Sequence, residues 1–230
     1  MFLFFELFIF LIMYAWYYAR KINNRLTRFV ETGKYAAQLI HLSSDENIPK
    51  YATHLVYLTK ANQRHEVEEK IIRSIFARKP KRADVYWFVH INRTDQPYTL
   101  SYDVSELAEG RLFKVNLHVG FRIQPKTELY FRKILQEILS DKSVSLPEAA
   151  QTVSPYHAEP DYVFVLIEKF LSAENDFSLR DHLLLNTYFL LKRMGLSEEK
   201  AFGLDKDDVV VEQYPLVYQT KENITLTRNQ

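Results

Sequence analysis

Cysteine is missing from all 230 residues. That excludes disulfides, thiolate nucleophiles, Cys-ligated zinc and iron–sulfur centres, and it fits a reducing compartment. Glycine (5) and proline (8) are scarce, which excludes collagen-like and low-complexity chains and makes a phosphate-cradling loop hard to build. Charge of one sign is not in excess. The formal net charge is +1, so nothing global favours nucleic acid or an acidic substrate. What the chain does have is an ordinary apolar fraction of 47% and a high aromatic fraction of 14%, in a length suited to one domain plus an appendage.

The appendage is residues 1–19, MFLFFELFIFLIMYAWYYA, where Glu6 carries the lone charge. As a helix this stretch rises about 28 Å, close to the roughly 30 Å hydrocarbon core of a bilayer. A cleavable signal peptide is disfavoured. The cations Arg20, Lys21, Arg25 and Arg28 follow the apolar run instead of preceding it, and the run ends in bulky Trp16, Tyr17 and Tyr18, where cleavage needs small residues. Tyr14, Trp16, Tyr17 and Tyr18 suit an interfacial aromatic belt, and the cations place the C-terminal side in the cytoplasm by the positive-inside rule. A buried core helix is the bland alternative, but one apolar on every face is uncommon in soluble proteins. Glu6 lies within two turns of the outer end, so an interfacial position is favoured over a functional intramembrane one.

Residues 23–41, with Phe29, Val30, Tyr35, Leu39 and Ile40, read as a continuing or second helix, an amphipathic stem under the membrane. SSDENIP at 43–49 is a break. Strands are expected at 53–59 (THLVYLT), at 84–91 (DVYWFVHI, covered on both faces), at 161–167 (DYVFVLI) and at 209–217 (VVVEQYPLV). Pro215 makes the last of these an edge strand. Residues 98–107 and 111–119 form an expected antiparallel pair, the second half-buried by alternation. Helices are expected over 65–78, 127–139 and 179–194, the last closed by Gly195 in the left-handed region. Residues 140–160, with three prolines, read as a loop, and the tail after 219 as frayed. The fold class is therefore α/β, a mixed β-sheet of about five strands with an antiparallel section in the middle, flanking helices and one N-terminal transmembrane helix. The segments are 1–19 transmembrane helix, 20–48 juxtamembrane helical stem, 49–219 cytoplasmic α/β domain and 220–230 polar tail.

Chemistry is hard to find. The seven histidines (41, 54, 65, 90, 118, 157, 182) never occur as HxxxH or HxH, and no carboxylates complete a metal set. His90 and His118 read as core or edge histidines. GxGxxG, GxxxxGK[ST] and GxSxG are all absent. The basic run Arg78, Lys79, Lys81 and Arg82 around Pro80 reads first as a solvated helix end complementing the helix dipole, and second as a contact for anionic headgroups or a phosphate-bearing ligand. Glu66, Glu68 and Glu69 before Lys70 read as helix-surface charge patterning. No catalytic, cofactor-binding or metal-binding residue is singled out, and no enzyme activity or cofactor is expected.

Several long stretches carry a resemblance: YAWYYARKI at 14–22, RFVE at 28–31, IPKYATHLVYLT at 48–59, PKRADVYWFVH at 80–90, VGFR at 119–122 and GLSEEKAFGLD at 195–205. Together they resemble the C-terminal part of the KUP/HAK/KT family of potassium transporters over nearly the whole chain. The resemblance implies proton-coupled potassium symport at the cell membrane through a bundle of about a dozen helices. It makes the cytoplasmic domain a regulatory or assembly part that joins two transporters as a homodimer, and it allows a cyclic dinucleotide as ligand, although no motif here shows one. One membrane segment cannot enclose an ion path, so the chain is expected to be a fragment whose partners are the lipid bilayer and a missing N-terminal bundle. It is not expected to transport alone. Two further readings stand beside this one: a free-standing membrane-anchored module for a nucleotide or protein partner, and an anchored enzyme, which lacks any catalytic constellation.

Overall fold

The computed structural model describes residues 2–141, 144, 146–151, 161–171, 177–195, 197–204 and 209–216. In chain order the elements begin α1 (Phe2–Arg25), β1 (Phe29–Glu31), α2 (Gly33–Ser44), β2 (Lys50–Thr59), β3 (Glu66–Glu68), α3 (Glu69–Ile75), β4 (Arg82–Thr94), β5 (Leu100–Ala108) and β6 (Leu112–Gly120). They continue with α4 (Thr127–Asp141), α5 (Glu148–Gln151), β7 (Tyr162–Leu171), α6 (Leu179–Met194), α7 (Glu198–Phe202) and β8 (Val209–Leu216). The chain divides into two units. One is Arg28–Glu168 with Ser197–Glu212, and the other is Met1–Thr27 with Lys169–Leu196 and Gln213–Gln230.

The larger unit is built on a mixed six-stranded sheet in the order β5-β6-β4-β2-β7-β8. Strands β6, β4, β2 and β7 run parallel, and β5 is antiparallel to β6. The α/β expectation holds with six strands. The antiparallel section, however, lies at one edge and not in the middle. Glu109 (φ 26°) and Gly110 (φ 67°) turn the chain tightly between β5 and β6. The other side of β6 is already occupied by β4, so β5 can add only outside. Edge placement of β8 agrees with its Pro215, which has no N–H to donate to a ladder and so suits an edge strand.

Burial on both faces explains the unbroken apolar run of β4. Val85, Trp87 and Val89 pack with Phe131, Ile134, Leu135 and Ile138 of α4. Tyr86 and Phe88 pack with Leu39 and Leu42 of α2 and with Ile71, Ile72 and Ile75 of α3. Trp87 stacks on Phe113 at 4.7 Å and meets the edge of Phe131 at 5.5 Å, and Phe131 meets Phe164 at 5.5 Å. Each such side chain fully buried is worth roughly 1.5–3 kcal/mol by area.

Three local expectations are overturned, two of them by tertiary pairing. The stem expected over 23–41 is interrupted, because Phe29–Glu31 leaves the helix to form β1 against β3. The helix expected over 65–78 is shortened to α3 for the same reason, since Val67 pairs with Val30. Gly195 ends α6 with φ −84°, an extended conformation open to any residue. The left-handed glycine is instead Gly203 after α7, with φ 63°. A Cβ there would lie 1.9 Å from the Pro125 carbonyl oxygen. Most of the loop expected at 140–160, and all of the tail expected after 219, lie outside the described residues.

In the smaller unit α1 packs against α6 through Ala19, Leu185 and Leu216. Trp16 lies 4.9 Å from Tyr188. Lys169 donates to Asn23 Oδ1 at 3.3 Å and to Thr27 Oγ1 at 2.5 Å. Phe2–Arg25 is, among the described residues, the one helix long and apolar enough to cross a membrane. Most of its large apolar side chains are exposed, and so is Glu6.

Candidate functional site

The parallel strands define where to look. Crossover helix α3 packs on one face of the sheet, while α4 and α5 pack on the other. Chain order therefore reverses at β2, the strand between β4 and β7. Open α/β sheets bind ligands at the carboxyl ends of their strands beside such a switch point.

A polar row crosses the sheet at that end. Thr59 pairs with His90, His90 with Asn116, and Asn116 with Asp103. Register partners share a face, so all four lie on the side of Tyr57, Phe88 and Lys114. Beyond them Asn92 pairs with His118, and His118 with Ser101.

Most of this row is satisfied internally. Thr59 Oγ1 donates to Glu68 Oε2 at 2.5 Å, and the Lys60 N–H donates to Glu68 Oε1 at 2.7 Å. His90 Nδ1 donates to the Thr59 carbonyl at 3.0 Å, which makes Nε2 of the neutral ring an acceptor. His118 Nε2 bonds Asp103 Oδ2 at 2.9 Å and its Nδ1 bonds Asn92 Nδ2 at 3.3 Å. With both nitrogens engaged, His118 has none left to activate Ser101, so a Ser–His–Asp resemblance here carries no hydrolytic chemistry. Among the described residues, Asn116 Oδ1 is buried without a hydrogen-bond partner. The row thus offers Asn116 Oδ1 as an unpaired acceptor, with His90 Nε2 as a second while its ring carries one proton. They suit a ligand that donates hydrogen bonds and not a phosphate, which needs N–H donors.

Lys114 is the residue that alternation misread. Its place in LFKVNLHVG predicts a solvent-facing side chain, yet it is fully buried. Its ammonium donates to the carbonyls of Gln63 and Glu66, the latter at 3.0 Å. Burial lowers its pKa to about 8, against the raising influence of Glu68 and Glu66. The signal was a cation inside an otherwise apolar strand, which pattern alone cannot distinguish from a wet face.

The basic run divides. Arg78 and Lys79 are exposed, as a solvated helix end should be. Lys81 is buried and donates to Glu212 Oε1 at 2.6 Å, Ser74 Oγ at 2.8 Å and the Ser74 carbonyl at 2.9 Å. Ser74 Oγ in turn donates to Glu212 Oε2 at 2.5 Å and lies 2.7 Å from the Tyr57 hydroxyl. A serine beside a lysine suggests a nucleophile, but Ser74 is fully buried and its surroundings make the cluster a structural clasp between α3 and β8. Arg82 holds the carbonyls of Ser43 and Ile48 at 3.3 and 3.1 Å. Neither Lys81 nor Arg82 is therefore a headgroup contact. The acidic run divides as well: Glu66 and Glu68 lie on β3, and Glu69 pairs with Arg73 along α3 at 2.6 Å. No group of three or more His, Asp or Glu among the described residues could hold a metal ion.

Comparison with known proteins adds a second line of observation. Residues 52–216 match the family described as K+ potassium transporter C-terminal domain. A probable potassium transport system protein Kup of Flavobacterium johnsoniae is 43% identical over 217 residues, covering 94% of this chain and 33% of that protein. The corresponding protein of Clostridium perfringens is 35% identical over 217 residues, again 94% and 33%. Kup 1 of Lactobacillus johnsonii is 31% identical over 224 residues, 96% and 33%. No solved structure matches. The chain spans about a third of the length of these relatives.

Proposed function

The chain belongs to the family of K+ potassium transporters, of which it carries the C-terminal domain, and on that premise we propose that it is the C-terminal portion of a proton-coupled potassium uptake system. In this reading α1 crosses the cell membrane once. The aromatic belt of Tyr14, Trp16, Tyr17 and Tyr18, followed by Arg20, Lys21 and Arg25, sets the α/β unit on the cytoplasmic side. That unit regulates or assembles the transporter and catalyses nothing. In support, the relatives are named transport proteins, and the one His–Asp pair in the polar row has both ring nitrogens engaged.

The observation that carries the reading is the asymmetry of coverage: relatives match 94% of this chain along 33% of their own length. A single crossing helix cannot surround an ion at membrane depth, so uptake requires the membrane helices that the rest of such a transporter would supply. The bilayer and that bundle are the partners. A second copy and a cyclic dinucleotide rest on the family resemblance alone, and the acceptor character of the polar row lends the dinucleotide no support.

Potassium uptake in a transport-deficient cell tests the proposal. Expressed alone the chain should give no rescue, and co-expression with a separately encoded membrane bundle of a close relative should restore uptake. Rescue by the chain alone, or no rescue on co-expression with both parts present in the membrane, would overturn it.

A further inference from the structure

Helix α6 carries a second apolar surface that its packing leaves open. Leu185 is its buried anchor, sharing a cluster with Ala19 of α1 together with Tyr188 and Phe189. On the far side Leu179, Leu183, Leu190 and Met194 are between 60% and 93% exposed. At about 100° per residue these four fall within about 60° of arc, one narrow stripe along the helix. Scattered exposed leucines need no explanation, but four on one stripe do.

Two observations say what covers it. The first is where α6 sits on α1. Trp16 lies 4.9 Å from Tyr188, and the Arg180 guanidinium stands over the rings of Tyr14 and Tyr18 at 6.0 and 5.6 Å. Those α1 residues form the aromatic belt, so α6 runs beside α1 at the level where membrane meets water. The second is charge. Arg180 and Arg193 are exposed beside the stripe, with Lys192 at the same end as Arg193, and Arg20, Lys21 and Arg25 follow the belt on α1. An apolar stripe flanked by long cationic side chains matches an anionic leaflet: the leucines enter the acyl boundary while the guanidinium groups stay among headgroups.

We propose that α6 is an interfacial membrane helix, lying against α1 with the stripe of Leu179, Leu183, Leu190 and Met194 inserted in the cytoplasmic leaflet. It gives the chain a second, non-spanning hold on the bilayer. The inference rests on the reading that α1 crosses the membrane.

The cysteine-free sequence allows single spin labels on the full chain, reconstituted in phosphatidylcholine–phosphatidylglycerol vesicles. Leu183→Cys and Leu190→Cys report the stripe, Leu11→Cys reports α1, and Lys133→Cys on α4 is the aqueous reference. Relaxation by oxygen should exceed relaxation by a water-soluble nickel chelate several-fold at 183 and 190, as at 11, with the reverse at 133. Aqueous values at 183 and 190 with a bilayer value at 11 would overturn this inference alone, whereas an aqueous value at 11 would overturn the crossing of α1 itself. Shielding from both reagents, with line broadening that vanishes on dilution with unlabelled chain, would show a second copy on the stripe and also overturn it.

Discussion

The indole N–H of Trp87 donates to Nδ1 of His54 across 3.2 Å, linking β4 to β2 where both side chains are fully buried. Because indole can only donate, Nδ1 must be the acceptor, so the proton sits on Nε2 and is given to the Ala150 carbonyl at 3.2 Å. The ring is locked neutral, and burial lowers its pKa to about 4.

Acid sensitivity follows from that lock. The unfolded chain takes up the His54 proton near pH 6.5 and the folded chain near 4. Between these values the unfolded state binds more protons, so stability falls as pH drops, by up to about 3 kcal/mol from this group. Urea unfolding at pH 7 and at pH 4.5 should show the loss, and His54→Gln should flatten the dependence while lowering stability at both values. An unchanged dependence in the variant would assign the acid loss to other groups.

Breaking the Lys81–Glu212 pair should be costly. Lys81 is buried while Glu212 is partly exposed, so Glu212→Gln should lose near the lower end of the roughly 3–5 kcal/mol seen when one partner of a buried pair is removed. The double variant Lys81→Met with Glu212→Leu should recover most of the loss, because neither charge is then buried alone. Chemical denaturation of the three proteins checks the coupling. A double variant no more stable than the single one would show that the ion pair itself is needed.

Lys114 should behave in the opposite sense to an ordinary surface lysine. Its folded pKa of about 8 lies below the ordinary 10.5, so stability should rise with pH across that window and carry the full burial penalty below pH 8. Lys114→Met should cancel the rise. It also frees the Gln63 and Glu66 carbonyls, so amide exchange around residues 62–67 should speed up while global stability changes little. Uniform exchange acceleration across β4 and β6 would instead show that the ammonium supports the whole sheet.

Gly203→Ala should destabilise more than a simple left-handed substitution. The backbone conformation alone costs about 1–2 kcal/mol, and the new methyl would also meet the Pro125 carbonyl and the Lys126 Cα. Thermal melting should show a loss larger than the same substitution at Gly195, whose added Cβ would find only ordinary contacts of 3.5 and 3.7 Å.

Much of the fold was legible because it is local. The two-faced apolar run of β4, the hairpin of β5 and β6, the helical period of α4 and the proline of β8 each carry their own signal. The candidate site was much less legible. Thr59, His90, Asn116 and Asp103 lie on four strands, and nothing in their separate surroundings says that register sets them in one row. Lys114 and Lys81 read as ordinary cations because a side chain's burial depends on which distant segment closes over it.

By itself the sequence determined the membrane-length helix with its aromatic and cationic flanks, the alternation of strands and helices, and the family. Periodicity, composition and long matching stretches need no knowledge of what touches what. Tertiary structure decided the rest. It pulled Phe29–Glu31 and Glu66–Glu68 out of helices into a ribbon, since a three-residue strand is stable only when a partner supplies its hydrogen bonds. It moved the antiparallel pair to the sheet edge, turned exposed-looking lysines into buried ties, and set α6 against α1. Each of these outcomes depends on contacts between residues far apart in the chain, where the free energy of burial and pairing outweighs local preference.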